Sequence, residues 1–248
     1  MPIGKVHSID TFSTLDGPGI RTVVFMQGCH LRCKYCQNPD TWNPAAATAR
    51  EYSAEEIMKV ILRSLPYFQA SGGGVTFSGG EPLLQAEFVK EIFKRCQKYN
   101  IHTAIDTSLY VATETVLDLV PFTKLFLADI KHINNEKSQL LTGANNRCNI
   151  ENLELINYKQ VEIWIRYVIV PGFTDTEDDL FTMADFVSSL ENVTRVDLLP
   201  YHSLGSHKWK LLGLKYELDN IEAPSSSRMQ ELKSLVESRS KKQVFVPT

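Results

Sequence analysis

Gln27-Gly28-Cys29-His30-Leu31-Arg32-Cys33-Lys34-Tyr35-Cys36-Gln37-Asn38-Pro39-Asp40-Thr41-Trp42 is the stretch from which the rest of the chain is read. Cys29, Cys33 and Cys36, three of only five cysteines, lie within eight residues, directly after the apolar run Thr22 to Met26 where a strand hands over to a loop. Three thiolates so close together on one loop can wrap three corners of an iron-sulfur cube, whereas a self-contained 4Fe-4S electron carrier needs a fourth cysteine. The fourth iron is then left open, and a substrate or cofactor can coordinate it directly. Structural zinc is the alternative, but zinc prefers four protein ligands in paired arrangements. The fourth would have to be His30 inside the knot, or the distant Cys96 or Cys148. A disulfide fits less well, because three clustered cysteines cannot all pair and nothing marks the chain as secreted.

The 248 residues, 43% hydrophobic, suffice for one barrel-sized α/β domain or two small ones, and no composition break forces two. Met1 to Asp10 resembles neither a secretory leader nor a transit peptide, and no apolar run approaches the ~18 residues of a membrane span. A cytoplasmic protein away from membranes is expected. Net charge is -3 with both signs interspersed, so the basic footprint of a nucleic-acid binder is missing.

Along the chain, Asp16-Gly17-Pro18-Gly19 reads as a turn and Ile20 to Met26 as a buried first strand. Ser53-Ala54-Glu55-Glu56 is a capping box opening a helix with Ile57, Val60, Ile61, Leu65 and Phe68 on one face and Pro66 near its end. Gly74 to Ser78 is the next strand, and a helix follows with Phe88, Val89, Ile92, Phe93 and Cys96 on its apolar face. Further strands are expected at His102 to Thr107, Lys124 to Lys131, Val161 to Val170 and Val193 to Pro200, with helices near 113–120, 149–158 and 177–190 between them. Cys148 precedes one of these helices. A last helix, about Ser227 to Glu237, and a short run at Val244 to Val246 end the chain. Six strands alternating with helices predict an α/β fold with a parallel sheet, closed or partly closed into a TIM-like barrel whose site lies at the strand C-terminal ends. A doubly wound open sheet shares the same periodicity.

Gly79-Gly80-Glu81 follows a strand, where side-chain-free positions allow a ligand to approach the backbone. Asp106 and Asp129 fall near strand C-terminal ends, Lys131 two residues beyond the second. Such carboxylates can accept bonds from ribose hydroxyls or hold a cation, while Lys131 or Arg166 can neutralise a carboxylate. For a lone Asp or Lys, a solvated strand end is the plainer reading. His202 follows the strand ending at Pro200 and suits stacking on a base or a purely structural role. Cys96 reads as core, and Cys148 carries no assigned role.

The Cys-x3-Cys-x2-Cys spacing with Tyr35 before the last cysteine, followed in order by Gly79-Gly80-Glu81, resembles the radical S-adenosylmethionine (SAM) enzymes. More narrowly, Asp16 to Arg21, Ala70 to Gly74, Trp164 to Gly172 and Leu199 to Trp209 resemble the pyruvate formate-lyase activating enzymes, across nearly the whole chain. The resemblance implies one radical SAM domain over 1–248, a partial barrel of about six β/α units with a cluster loop at 28–42 and a C-terminal extension from about 201. It implies Cys29, Cys33 and Cys36 as ligands of a 4Fe-4S cluster whose open iron takes SAM. It implies SAM contacts at Tyr35, Cys36, Gln37, Gly79, Gly80, Glu81, Asp129, Ile130, Lys131, Arg166, Val168 and His202. A monovalent cation is implied at Asp106, Thr107, Asp129 and the Leu127 carbonyl, and a substrate-peptide contact at Asp16. The implied reaction generates a 5'-deoxyadenosyl radical by reductive SAM cleavage and abstracts one hydrogen from a glycine of pyruvate formate-lyase, leaving a glycyl radical. Flavodoxin or ferredoxin is the implied electron donor, a monomer the implied state, and anaerobic glucose metabolism the implied setting.

Two positions depart from that pattern. Gln37 stands where histidine is common, and Ser108-Leu109 stands where a glycine is usual nearby. With only Cys96 and Cys148 spare, the chain cannot hold the inserted two-cluster domain of some other activases, which needs about eight more cysteines. The activase of a related ketoacid formate-lyase stays open, as does, outside enzymes, a zinc or iron-sulfur scaffold without turnover.

Overall fold

The computed structural model describes residues 2–247. They fall into two compact units: one takes in the chain up to His30 and Thr41–Leu127, the other Leu31–Asp40 and the chain from Ala128 onward.

In the first unit, β1 (Ile3–Ser13) pairs antiparallel with β2 (Arg21–Met26) and with β3 (Arg50–Ser53). After α1 (Ala54–Arg63) and α2 (Leu65–Ser71), β4 (Gly74–Gly79) joins β2 in parallel. α3 (Ala86–Gln97) leads to β5 (His102–Thr107), parallel to β4, and α4 (Thr113–Leu119) leads to β6 (Leu125–Asp129), across which the boundary between the units runs. In the second unit, α5 (Asn135–Thr142) and α6 (Arg147–Tyr158) precede β7 (Glu162–Ile169). α7 (Glu177–Ser188) then leads to β8 (Val193–Pro200), which is parallel to β7. α8 (Ser206–Leu211), α9 (Ser226–Ser240) and β9 (Gln243–Phe245) follow, β9 parallel to β8. Among the described residues, β3 in the first unit and β9 in the second each have a strand neighbour on one side only.

The six expected strands and the parallel ladders are present, and the strand taken as first is in fact second. β1 escapes a hydrophobicity reading because most of it is polar and only Gly4 and Val6 are buried. Its Gly4 is required by packing: a Cβ there would meet the Phe88 ring at 2.3 Å.

Helix signals translate into structure where they are local. Ser53 caps α1 with both bonds of the capping box, its hydroxyl accepting from Glu56 N–H while the Glu56 carboxylate accepts from Ser53 N–H. Pro66 does not end this helix. It opens α2, where a first-turn proline costs no hydrogen bond because that N–H has no intrahelical partner. The expected five-residue face is therefore divided: Ile57 and Ile61 are buried from α1 and Phe68 from α2, while Val60 and Leu65 are half-buried. All five residues expected on the α3 face are buried. Cys148 lies inside α6 rather than before it, and the short helices α5 and α8 have too little apolar periodicity to be legible.

Candidate active site

In the first unit the residues after β2 are fastened by backbone bonds. Gly28 N–H donates to Thr41 O at 2.7 Å and Cys29 N–H to Trp42 O at 3.3 Å, while Gly80 and Glu81 N–H donate to Met26 O and Gly28 O at 2.9 and 2.7 Å. The Gly-Gly-Glu segment thus lies directly against the entry to the cysteine loop. A Cβ on Gly79 would fall 2.4 Å from Met26 N, and one on Gly80 2.2 Å from Gly28 O. On that side the close approach is made by the chain's own backbone.

Glu81 is buried and its carboxylate accepts four bonds. Leu83 N–H (3.1 Å) and the Thr107 hydroxyl (2.6 Å) meet one oxygen; Ser108 N–H (2.9 Å) and the Ser108 hydroxyl (2.6 Å) meet the other. Burial raises its pKa, and those bonds work in the opposite direction. Glu81 therefore ties the residues after β4 to the turn after β5. Ser108, the departure from the family pattern, supplies two of the four bonds. Leu109 next to it is fully buried with φ 56°, a backbone region that disfavours residues with a Cβ. Asp106 accepts from the Ser78 hydroxyl at 2.6 Å, and Leu127 is buried in β6. Asp16 accepts from the Ser13 hydroxyl and, through its carbonyl, from Thr76 Oγ1 at 2.6 Å.

Sequence reasoning gave Arg21 no role, although an arginine opening an apolar strand is a visible anomaly. Its buried guanidinium donates to Thr76 Oγ1 (2.6 Å), Val75 O (2.6 Å) and Pro18 O (3.1 Å), and burial lowers its pKa to about 10 against the opposing charge of Asp16. It joins β2 to β4 and to the 16–19 turn.

In the second unit Cys36 N–H donates to Cys33 O at 3.0 Å, and Arg32 and Lys34 N–H donate to Thr142 O and Leu141 O at the end of α5. Cys33 and Tyr35 are buried, Cys36 and Gln37 half-buried. Lys131 pairs with Asp129 at 2.7 Å, and its ammonium stands 5.8 Å from the Tyr35 ring centre. Burial opposes the charge on Lys131, but Asp129, Tyr35 and Cys33 outweigh it and hold its pKa well above the ordinary lysine value. Burial likewise raises the Tyr35 phenol well above its ordinary value, the Lys131 charge opposing. Ile130 is buried, and its N–H donates to Arg166 O at 3.0 Å. In β7, Ile163, Ile165, Tyr167 and Ile169 are buried while Trp164, Arg166 and Val168 alternate with them on the other face. His202 is exposed, two residues beyond β8.

A second contribution missed by sequence reasoning comes from the segment after β8. Trp209 Nε1–H donates to Cys36 O at 2.9 Å, Lys208 bonds Asn38 (2.8 Å) and pairs with Asp40 (3.1 Å), and the Trp209 ring meets Tyr216 edge-on with centroids 5.3 Å apart. These side chains brace the residues around the third cysteine.

All five cysteines are free thiols. Among the described residues no three His, Cys, Asp or Glu side chains are gathered as a metal-holding group. The donor set itself fits a cluster with one open iron: three free thiols on one loop, no fourth cysteine on that loop, and a lysine ammonium in the field of Cys33, the setting that stabilises a ligating thiolate.

This loop, followed by parallel β/α units, defines a class. A model of the radical SAM superfamily matches residues 23–184. A radical SAM methyltransferase from Sphaerobacter thermophilus has the same fold, with TM-score 0.69 over 100% of this chain and 77% of its own at 16% identity. The chain belongs, within that superfamily, to the pyruvate formate-lyase-activating enzymes: it is 45% identical over 233 residues, 92% of each chain, to the one from Staphylococcus aureus strain USA300. A crystallised domain of a pyruvate-formate lyase-activating enzyme from Bacteroides vulgatus matches with TM-score 0.60 and 28% identity, over 71% of this chain and 99% of its own.

Proposed function

We propose that this chain activates pyruvate formate-lyase by taking one hydrogen atom from the Cα of a glycine in that enzyme, leaving a glycyl radical. The observation that carries this is the 45% identity to an activating enzyme over 92% of both chains. The family match from 23 to 184 runs across the boundary between the two units, which supports one functional domain.

Cys29, Cys33 and Cys36 are the residues to hold a 4Fe-4S cluster. Bound there, the cluster supplies the electron that cleaves SAM to methionine and the 5'-deoxyadenosyl radical that abstracts the glycine hydrogen, forming 5'-deoxyadenosine. The chain's contribution is to orient SAM and keep water away. Gly79 and Gly80 offer backbone groups to its amino end, and Lys131 or Arg166 a positive charge to its carboxylate. Asp129 aligns the Lys131 ammonium and, with Ile130, Val168 and His202, borders the nucleoside, while Tyr35, Cys36 and the backbone of Gln37 line the adenine, the Gln37 side chain being turned to His202 and Gly205. Glu81, its oxygens occupied by four protein donors, ties the residues after β4 to the turn after β5 rather than meeting SAM through its carboxylate.

A monovalent cation beside SAM is read at Asp106, Thr107, Asp129 and the Leu127 carbonyl, and Asp16 is read as a contact to the glycine-bearing peptide. A flavodoxin or ferredoxin donor, a monomeric state and a cytoplasmic setting follow the family. No helix among the described residues is long and apolar enough to cross a membrane.

The test is anaerobic reconstitution with iron and sulfide, reduction, and incubation with SAM and pyruvate formate-lyase. Expected are a paramagnetic signal that changes when SAM is added and one glycyl radical signal dependent on both. A ketoacid formate-lyase activated in preference would redirect the substrate assignment. Stoichiometric zinc without iron would replace the enzyme by a scaffold.

A further inference from the structure

The side chain of Gln37, next to the third cysteine, is fully engaged. Its Nε2 donates to His202 O at 2.8 Å and to Tyr35 O at 3.2 Å, and its Oε1 accepts from Gly205 N–H at 2.7 Å. One carboxamide thus holds both ends of the 202–205 loop to the residue after Cys36. His202, Ser203 and Leu204 are exposed while Gly205 is buried, so the loop is anchored where this amide reaches it. The fit is close on the other side too: a Cβ on Gly205 would stand 2.7 Å from both Cα and O of Gln37.

Only an amide makes this set of bonds. A neutral imidazole has one donor and one acceptor, and a carboxylate has acceptors alone, whereas the three partners require two donors and one acceptor. The neighbouring bonds from Trp209 to Cys36 O and from Lys208 to Asn38 seat the following helix but do not touch 202–205.

We propose that Gln37 is a positioning residue that pins the 202–205 loop to the cysteine loop and thereby sets where His202 stands beside SAM. The inference rests on the reading of His202 as a SAM contact. The pin itself is separable from that reading.

The experiment uses the reconstituted protein and compares wild type with Gln37→Met, which keeps the length without hydrogen bonds, Gln37→Glu, which keeps only acceptors, and Gly205→Ala, which leaves the amide in place and crowds it. Three quantities are measured: iron per chain, exchange of the Gly205 amide, and SAM affinity. With iron per chain at the wild-type level, Gln37→Met and Gln37→Glu should raise Gly205 exchange and the SAM Kd each by about tenfold or more. Gly205→Ala should raise the SAM Kd in the same direction without altering iron. Unchanged Gly205 protection in Gln37→Met overturns the pin. Lost protection with unchanged SAM affinity overturns the positioning role. Should the Gln37 variants fail to fold or to take up iron, Gly205→Ala decides alone: wild-type SAM affinity in that variant overturns the proposal. A wild-type protein that binds no SAM overturns the functional reading instead, while its Gly205 exchange still tests the pin.

Discussion

Glu81 shows how a motif residue can serve a site through the backbone. Replacing it with alanine leaves the N–H groups of Leu83 and Ser108 and the hydroxyls of Thr107 and Ser108 buried without their acceptor, and unsatisfied buried donors cost about 1–3 kcal/mol each. Glu81→Ala is expected to lose about 3 kcal/mol or more in urea unfolding, whereas Ser108→Ala, which leaves the other bonds to Glu81, should lose about 1 kcal/mol. Equal losses from the two would show that the four bonds are not a unit. Leu109 poses a second question of magnitude. Glycine there would relieve about 1–2 kcal/mol of left-handed backbone strain but remove a fully buried side chain, a loss of about 2–5 kcal/mol. Burial wins, so Leu109→Gly should be destabilised in the same measurement, and a stabilised variant would reverse that ranking. At the cysteines, Cys33→Ala is expected to abolish SAM cleavage, because two protein thiolates no longer hold the cluster. Cys96→Ala should leave cleavage intact, since Cys96 sits on the buried face of α3 beside Met58 Sδ at 3.8 Å. Full iron content and reductive cleavage in Cys33→Ala would remove it from the ligand set.

Individual elements rest on local bonds whose loss can be measured. Ser53→Ala removes the side-chain half of the α1 capping box and is expected to cost about 1 kcal/mol in urea unfolding. In the second unit, Asp179 ties the start of α7 to α5. It accepts from the Thr176 hydroxyl that caps α7 and from Lys137 at 2.6 Å. Burial disfavours its charge, but those bonds and the nearby His132 outweigh burial and hold its pKa below the ordinary value of 3.8. A carboxylate with a depressed folded-state pKa contributes stability that is present above 3.8 and lost as pH falls through the folded value. The advantage of the wild type over Asp179→Asn in urea unfolding should therefore be clear at about pH 6 and shrink towards about pH 3. An advantage that grows on acidification would contradict the assignment.

For the molecule as a whole, the demanding step is access. A glycine within a folded partner meets a radical made inside the activase only if its segment leaves its own core, so binding must couple to local opening of the partner. A short peptide carrying the glycine pays no opening cost but lacks the wider protein contact that orients it, and should be a poor substrate. The 16–19 turn is a suitable contact for such a segment, because its backbone is held by Arg21 and Thr76 while the Asp16 side chain is half-exposed. Asp16→Ala is expected to slow glycyl radical formation about tenfold while SAM affinity stays near the wild-type value. Radical formation at the full rate would remove Asp16 from substrate positioning.

What the sequence by itself determined is what near neighbours along the chain dictate. Apolar runs placed the six strands of the β/α units, helical spacing named every buried residue of the α3 face, and Ser53 with Glu56 marked the start of α1. Cys29, Cys33 and Cys36 raised the expectation of a cluster by their type and spacing, because donors that bind one group from one loop are close in sequence. The tertiary structure decided everything that depends on a partner far along the chain. β1 and β3 carry too little apolar alternation to declare themselves and become strands through antiparallel pairing, β1 with both β2 and β3. Pro66 starts a helix or stops one according to what precedes it. Glu81 became a brace for Thr107 and Ser108, and Gln37 a pin on His202 and Gly205, because bonds across 26 and 168 residues leave no trace in local periodicity. The reason is that propensity and patterning report the conformation of a short segment, whereas burial and hydrogen-bond satisfaction are properties of a site assembled from several.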